Sequence, residues 1–206
     1  MLKKLSYINL KYSQKDELYI EKLADYIENE SKNIINYFNF DKLNVDVILF
    51  SDLDEFRKKH GKNTPNWLCG YYKKEDEKHI VNTLCLEEYK KTAGHENNTI
   101  NDLEKLIIHE FVHACHAQYK LVNIFNSPRW LAEGFAILLS KQDYNNEINV
   151  SYEELLNDSV SYSNYYAMVK YIIDEYGKDY LLELLKNDDL ANEVGLKIYN
   201  EITYSR

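Results

Sequence analysis

Chain breakers and cysteines are few in this 206-residue sequence, which has only two prolines, six glycines and three cysteines. Because no Pro-rich or Ser/Gly-rich linker interrupts it, no domain boundary is indicated, and residues 1–206 are predicted to form a single domain. Three cysteines cannot all pair, and none forms a Cys-x-x-Cys metal pair, so neither a disulfide framework nor a cysteine zinc site is indicated. We expect the three thiols to be buried.

Long apolar runs and concentrated positive charge are also absent. No apolar run approaches the length needed to span a bilayer, and polar residues interrupt the N-terminal segment before a signal peptide can form. We therefore expect no membrane partner and a cytoplasmic location. The formal net charge is −9 and no dense Lys/Arg cluster interrupts it, which argues against a nucleic-acid partner. Nothing in the sequence indicates an oligomeric state.

The N-terminal part of the sequence predicts helices followed by a strand. Apolar residues from about Gln14 to Phe38 lie at near-helical spacing, which indicates one long helix or two consecutive helices. The segment from Asn44 to Phe50 alternates at first and then becomes continuously apolar, as a strand covered on both faces does. Ser51 or Asp52 is a candidate N-cap for a short helix after this strand.

A hairpin is predicted next, in which a strand from Gly70 and a strand from His79 to Leu86 are joined by a charged turn. The polar segment from Glu87 to Asn98 is predicted to be a loop. We expect Trp67 and Trp130 to lie in the core. Surface positions are expected for three histidines, His60, His79 and His95.

Helical signals fill the rest of the sequence. The capping box Thr99-x-x-Asp102 predicts a helix to about Tyr119, and Ser127-Pro128 predicts the N-cap and first residue of a second helix. Three further helices are predicted, at Asn164 to Tyr176, Asp179 to Leu185 and Leu190 to Ile202. The predicted fold class is therefore α+β, with N-terminal helices, a small and mostly antiparallel sheet, a helix pair and a helical C-terminal portion.

The segment His109-Glu110-Phe111-Val112-His113 is a His-Glu-x-x-His motif inside one of these predicted helices. Histidines four residues apart point to the same helix face, so both imidazoles can bind one Zn²⁺. Glu110 projects beside that face, where it can hydrogen-bond a metal-bound water and take its proton during attack on a carbonyl. His116 lies about 10 Å along the helix axis from His109. This distance is too long for both to bind one metal, so we expect a packing or supporting role for His116.

A catalytic zinc site needs a third protein ligand and one open position. Glu133 is the candidate for that ligand, because it lies on the second turn of the helix that begins at Ser127-Pro128. The intervening loop is long enough for that helix to fold back antiparallel to the first. Gly134 lacks a side chain, which we expect to let the two helices approach closely around the metal.

These two motifs, His109-Glu110-Phe-Val-His113 and Trp130-Leu-Ala-Glu133-Gly-Phe-Ala, resemble those of the gluzincin metallopeptidases. The likeness is strongest to small bacterial domains of that group whose second motif reads Trp-Leu-x-Glu-Gly-x-Ala. A looser likeness covers roughly the last two-thirds of the chain. The resemblance implies that the two histidines and Glu133 bind zinc and that Glu110 is the general base.

Two further features follow from the resemblance. Gluzincins pair an extended substrate with the edge strand that precedes the first motif, and the run from Ile80 to Leu86 is the candidate strand here. They also use a downstream Tyr or His to stabilise the oxyanion, and Tyr162, Tyr165 and Tyr166 are candidates among which the sequence does not choose. One difference concerns Ile137, which stands where thermolysin-like members have an aspartate that orients a zinc-bound histidine.

Together these observations predict a zinc metallopeptidase that hydrolyses a peptide bond in a peptide or protein substrate. Two alternatives are open. One is a catalytically silent, zinc-stabilised module that binds peptides or proteins, and the other is a purely helical interaction protein without metal. The sequence does not choose between endopeptidase and exopeptidase action.

Overall fold

The structure is a computed structural model and describes residues 1–120, 127–142, 144–156 and 162–204. By its internal contacts the chain divides into two units, Met1–Cys115 and His116–Arg206. The division falls inside one continuous helix, Ile100–Lys120, so the prediction of a single domain stays a prediction. Helices and a sheet are both present, which confirms the α+β class.

The first unit contains a five-stranded sheet. Its strands in chain order are β1 (Leu2–Lys4), β2 (Ile8–Lys11), β3 (Val45–Phe50), β4 (Gly70–Glu75) and β5 (Lys78–Leu84). Across the sheet the order is β1-β2-β3-β5-β4, with β2 and β5 parallel to β3 and with β1 and β4 antiparallel to their neighbours. The prediction of a mostly antiparallel sheet is therefore wrong. A helix connects β2 to β3 and returns the chain to the end of the sheet where β2 began, so β3 can run parallel to β2. The strand β4 returns the chain in the same way before β5, so β5 runs parallel to β3.

The strands β1 and β2 were not predicted from the sequence. β2 reads Ile-Asn-Leu-Lys, too short a run for its alternation to stand out, although Ile8 and Leu10 are fully buried. The helix expected from Gln14 begins instead at Ile20, as α1 (Ile20–Phe38), after a single 3-10 turn. In that turn the buried Asp16 carboxylate accepts hydrogen bonds from the Ser13 backbone N–H and hydroxyl, at 2.8 and 2.9 Å.

The short helix expected after β3 is present as α2 (Leu53–His60), and Asp52 is its N-cap. The Asp52 carboxylate accepts a hydrogen bond from the backbone N–H three residues later at 2.8 Å. The Phe56 ring of α2 packs against the rings of Phe50 and Tyr71, with centroids 5.7 and 5.5 Å away. α2 therefore covers one face of the sheet. The opposite face is a buried apolar core formed by Val45, Val47, Leu49 and Val81.

The predicted hairpin is confirmed, because β4 and β5 pair antiparallel with Gly70 opposite Thr83. However, β5 also pairs with β3 on its other side. The prediction that Ile80 to Leu86 forms an edge strand is therefore wrong, and β4 is the strand at this end of the sheet. The burial pattern agrees, since every residue of β5 after Lys78 is buried whereas the last two residues of β4 are exposed.

Three other expectations for this unit need correction. Trp67 is not a core residue, because 51% of its surface is exposed. His79 is not on the surface: it is buried on β5, where its Nδ1 atom lies 2.9 Å from the hydroxyl of Tyr72 across the hairpin. The segment predicted as a loop from Glu87 to Asn98 begins inside a short helix, α3 (Leu86–Tyr89).

The helix α4 (Ile100–Lys120) continues from the first unit into the second, whose other described elements are all helices. These are α5 (Arg129–Leu139), α6 (Tyr152–Leu155), α7 (Tyr162–Glu175), α8 (Gly177–Lys186) and α9 (Asp188–Tyr204). The three predicted C-terminal helices are thus present, and α8 begins at Gly177, whose φ is +82°. Throughout the described ranges, the helices lack the combination of length and apolarity that crossing a bilayer requires.

The start of α5 differs by one residue from the prediction. Pro128 is the N-cap, with an extended ψ of 128°, and Arg129 is the first helical residue. Ser127 therefore lies outside the helix and does not cap it. Its hydroxyl instead accepts a hydrogen bond from the Lys120 ammonium at 2.9 Å, and the same ammonium pairs with Asp188 at the start of α9.

Candidate metal centre

The helix α4 carries the His-Glu-x-x-His motif and is fixed at its N-terminus by the residues predicted as a capping box. The Asp102 carboxylate accepts hydrogen bonds from the Thr99 backbone N–H and hydroxyl, at 2.6 and 2.8 Å. The apolar side chains in the middle of the helix are fully buried, namely those of Leu103, Ile107, Ile108, Phe111 and Val112. The motif therefore lies within a buried segment of α4.

The two histidines of the motif project from one face of α4 and are both buried. The Nε2 atoms of His109 and His113 lie 3.1 Å apart, and the ring planes are nearly perpendicular at 83°. This follows from their four-residue spacing, which places them one helical turn apart. Two buried imidazoles whose Nε2 atoms face each other at this distance could bind one metal ion between them.

Glu133 completes the group. It lies in the second turn of α5 and is partly buried, and its carboxylate provides an oxygen donor. One ligand atom from each of His109, His113 and Glu133 lies within 4.8 Å of the other two. The three residues singled out in the sequence are therefore brought together and could hold a metal ion.

The spacing of the donor atoms suits zinc. On a tetrahedral zinc with Zn–N bonds of about 2.0–2.1 Å, two ligand nitrogens lie roughly 3.3–3.4 Å apart. The 3.1 Å between the Nε2 atoms of His109 and His113 is close to this value. Two imidazole nitrogens and one carboxylate oxygen also suit zinc, although such donors bind other transition metals as well. The residues therefore fit a divalent transition metal, with zinc among the candidates.

Glu110 is buried next to His109 on the same helix. A side chain one residue away from a ligand points about 100° around the helix from it, so it lies beside the ligand face rather than on it. This position agrees with the predicted role of Glu110 as the general base that takes a proton from a metal-bound water. That role stays a prediction.

Gly134, the neighbour of Glu133, has a packing role that differs from the expected one. A Cβ atom built on Gly134 would lie only 2.3 Å from the backbone carbonyl oxygen of Tyr165 and 2.7 Å from a methyl group of Val169. The close approach that this glycine permits is therefore between α5 and α7. It brings the first turns of α7 against the turn of α5 that carries Glu133.

The three tyrosines predicted as oxyanion candidates all lie in the first turns of α7. Tyr162 and Tyr166 are partly buried, whereas Tyr165 is fully buried, with its ring 6.1 Å from that of Tyr162. Whether any of them acts on a substrate stays a prediction.

A fourth tyrosine, Tyr144, follows α5 and lies outside α7. Burial and the charge of the Glu133 carboxylate both raise the pKa of its phenol. No spacing pattern indicated this residue, because it lies in irregular backbone after α5.

His116 has the packing role expected for it. It is fully buried, and its Nε2 atom lies 3.1 Å from the carbonyl oxygen of Leu185 in α8. Because a carbonyl can only accept, this nitrogen is the donor. His116 therefore ties α4 to α8.

No family model matches the chain, and a comparison with curated proteins also gives no match.

Proposed function

We propose that this protein is a zinc-dependent metallopeptidase. The observation that carries the proposal is the convergence of two buried imidazoles from α4 and the Glu133 carboxylate from α5 within 4.8 Å. The buried Glu110 carboxylate next to the first of these histidines supports hydrolysis rather than a purely structural metal site. The resemblance of the two motifs to those of gluzincins adds a second, sequence-based reason.

The proposed chemistry assigns one task to each residue. When bound, zinc would polarise the scissile carbonyl and lower the pKa of a water molecule. His109, His113 and Glu133 would hold the metal. The Glu110 carboxylate accepts the proton of the attacking water and passes it to the leaving amine.

The edge of the sheet offers a binding surface for an extended peptide substrate. The Cys69 carbonyl accepts a hydrogen bond from the Leu84 N–H at 2.9 Å. Because backbone groups in an antiparallel strand face the partner at alternate residues, Gly70, Tyr72 and Lys74 turn theirs away from β5. These outward groups could pair with a substrate added as a further strand.

Gly70 also relates this edge to the metal-binding helix. A Cβ atom at Gly70 would lie 3.1 Å from the side chain of Leu106. Leu106 precedes His109 by three residues and lies on the same face of α4. The outward-facing edge of β4 therefore begins about one helical turn from the first proposed ligand, which is the reason we place the substrate on β4 rather than on β5.

The first test is zinc content and turnover of the purified protein. We expect about one zinc per wild-type chain and loss of zinc in His113→Ala and Glu133→Ala. His116→Gln is the matched control, because this buried histidine of the same helix is bonded to Leu185 and its loss should leave the zinc in place. Glu110→Gln should retain zinc but lose hydrolysis of a peptide library.

Two results would contradict the proposal in different ways. A wild-type protein that takes up no zinc would exclude the metal site and favour a helical interaction protein. A zinc-loaded protein without turnover, in which Glu110→Gln changes no measurable property, would favour the catalytically silent binding module.

Strand addition can be tested separately at Lys74. Lys74→Pro removes one outward N–H, which an edge strand tolerates without loss of its ladder. It should raise KM for peptides several-fold and leave zinc content unchanged, whereas Lys74→Ala, which keeps the N–H, should not raise KM. An equal effect of both variants would indicate that the lysine side chain, and not the strand edge, contacts the substrate.

A further inference from the structure

A basic surface lies beside the strand β4. The last turn of α2 carries three cationic side chains, Arg57, Lys58 and Lys59, whereas the acidic residues of this helix lie in its first turn. The ring of His60, the last residue of α2, lies 4.8 Å from the ring of Tyr71 on β4. The cationic end of α2 therefore packs against β4, the strand at this end of the sheet.

Lys73 adds a positive charge from β4 itself. Because side chains alternate along a strand, Lys73 and Glu75 lie on the same face of the sheet as Tyr71, which is the face that α2 covers. The Glu75 carboxylate lies 2.5 Å from the Lys73 ammonium and 3.9 Å from that of Lys59. Glu75 thus balances one charge of a cluster to which both elements contribute. The basic surface consists of Arg57, Lys58, Lys59 and Lys73.

The basic surface has a charge opposite to that of the whole chain, whose formal net charge is −9. Its members come from α2 and from β4, so no single run of the sequence marks it. A local excess of positive charge raises the concentration of an acidic ligand at that surface, and the negative charge of the rest of the chain disfavours binding of the same ligand there. A ligand on the β4 edge is therefore favoured if an acidic side chain faces α2.

The position of Lys73 on the strand determines which substrate side chain it meets. Its backbone groups face β5, so a residue added opposite it in an antiparallel strand forms a non-hydrogen-bonded pair. Side chains are closest at such pairs, and both point to the same face of the sheet. Lys73 also lies three residues beyond Gly70, where the outward edge begins, which corresponds to roughly 10 Å along a strand.

We propose that the β4 edge takes an acidic peptide, with an Asp or Glu side chain opposite Lys73, about three residues from the residue bound beside Gly70. Lys73 is the specificity-determining residue, and Lys59 supports it by sharing the Glu75 carboxylate. This inference rests on the strand addition of the proposed peptidase, and it names the class of substrate at that same edge.

The probes are two fluorescently labelled decapeptide pools, which have random uncharged residues at odd positions and either Glu or Gln at even positions. Side chains at even positions share one face of a strand, so the register of binding need not be known. Binding is followed by fluorescence anisotropy with the zinc-loaded Glu110→Gln protein, which is expected to bind peptides without cleaving them. At low ionic strength the Glu pool should bind about three- to fivefold more tightly than the Gln pool, as one partly exposed ion pair allows.

Charge changes at Lys73 test the assignment of this residue. In the same Glu110→Gln background, Lys73→Gln should abolish the preference for the Glu pool and Lys73→Glu should reverse it, and high salt should weaken it when Lys73 is present. Lys32→Glu is the matched control, because Lys32 forms a similar ion pair on α1, with Glu28 at 2.7 Å, and undergoes the same change of charge. It should leave the preference within about twofold of its original value.

The inference and the proposed function fail in different ways. Equal affinity of both pools, or a preference unchanged in Lys73→Glu, would overturn the acidic-substrate inference, and cleavage of both pools by the wild-type protein would then leave the peptidase in place. A preference for the Glu pool that Lys73→Glu reverses, with no cleavage by the wild-type protein, would support the inference and refute peptide hydrolysis. Binding of neither pool would overturn the inference, and zinc content would still test the metal site.

Discussion

Replacing Gly134 by alanine is expected to destabilise the protein by about 2 kcal/mol, although alanine is the better helix former. The added Cβ would lie 2.3 Å from the Tyr165 carbonyl oxygen and 2.8 Å from its carbonyl carbon. Both atoms belong to the backbone of α7, so no rotation of a side chain relieves the contact. Helix α7 would have to move away from α5 by roughly 1 Å to restore van der Waals separation.

The expected loss of stability in Gly134→Ala combines two opposing contributions. An extra methyl group in a well-packed core costs about 1–3 kcal/mol, and a backbone obstacle places Gly134→Ala at the upper end of this range. Replacing glycine by alanine inside a helix stabilises the helix by about 1 kcal/mol, because alanine has the higher helix propensity. The net loss is therefore about 2 kcal/mol. The same displacement should move the neighbouring Glu133 and weaken zinc binding.

Gly195→Ala is the matched control for this prediction. Gly195 also lies inside a helix, but a Cβ there would meet the hydroxyl of Tyr152 at 2.4 Å, the far end of a side chain that can rotate. Urea unfolding should show Gly195→Ala within about 1 kcal/mol of wild type and Gly134→Ala clearly below it. A Gly134→Ala protein as stable as wild type, with unchanged zinc affinity, would refute the packing argument.

Three further predictions concern buried groups in the first unit. Burial raises the pKa of Glu104, with nearby Lys22 opposing the shift, so the native state holds this proton more tightly than the unfolded state. Its contribution to stability is therefore favourable at low pH and is lost as the pH rises through the raised pKa. Accordingly, urea unfolding should show Glu104→Gln more stable than wild type at pH 7 but not at pH 4. Asn82 is fully buried in β5, and within the described residues neither its side-chain Nδ2 nor its Oδ1 has a hydrogen-bond partner. Asn82→Leu should raise the free energy of unfolding by about 1 kcal/mol, whereas Thr83→Val, which loses a bond to the Leu84 carbonyl, should lower it by about as much. Finally, burial raises the pKa of the Cys69 thiol to about 11 and that of Cys115 well above its usual range. Iodoacetamide at pH 8 should therefore leave both thiols unmodified in the native protein and alkylate them in urea.

The elements that the sequence predicted well are those set by local spacing. The four-residue interval between His109 and His113 fixes a shared helix face wherever the helix lies. The pair Thr99 and Asp102 likewise marks the start of α4 within a single turn. Glu133 was predicted from its place on the second turn of α5 and from the resemblance of its motif, and its ligand oxygen lies within 4.8 Å of a ligand nitrogen of each histidine.

The exposure of single residues was predicted less well, because it depends on partners distant in sequence. Trp67 is large and aromatic, but it lies in the connection before β4 and is half exposed. His79 is polar, yet β3 and β4 flank it on both sides, and the Tyr72 hydroxyl gives one of its ring nitrogens a partner. Composition alone does not distinguish these environments.

The sequence predicted β5 as the edge strand, whereas the edge strand is β4. Pairing between strands that are distant in sequence therefore changes which strand we propose to bind the substrate. A hairpin read from sequence offers two strands, and either could be the edge. What decides between them is β3, whose Val45 pairs with His79 and so covers β5. This leaves the outward backbone groups of β4 available, starting at Gly70, whose lack of a side chain accommodates Leu106 on α4. The proposed substrate strand thus depends on a parallel pairing that no local pattern in the hairpin encodes, whereas the proposed metal ligands depend on spacing within two helices.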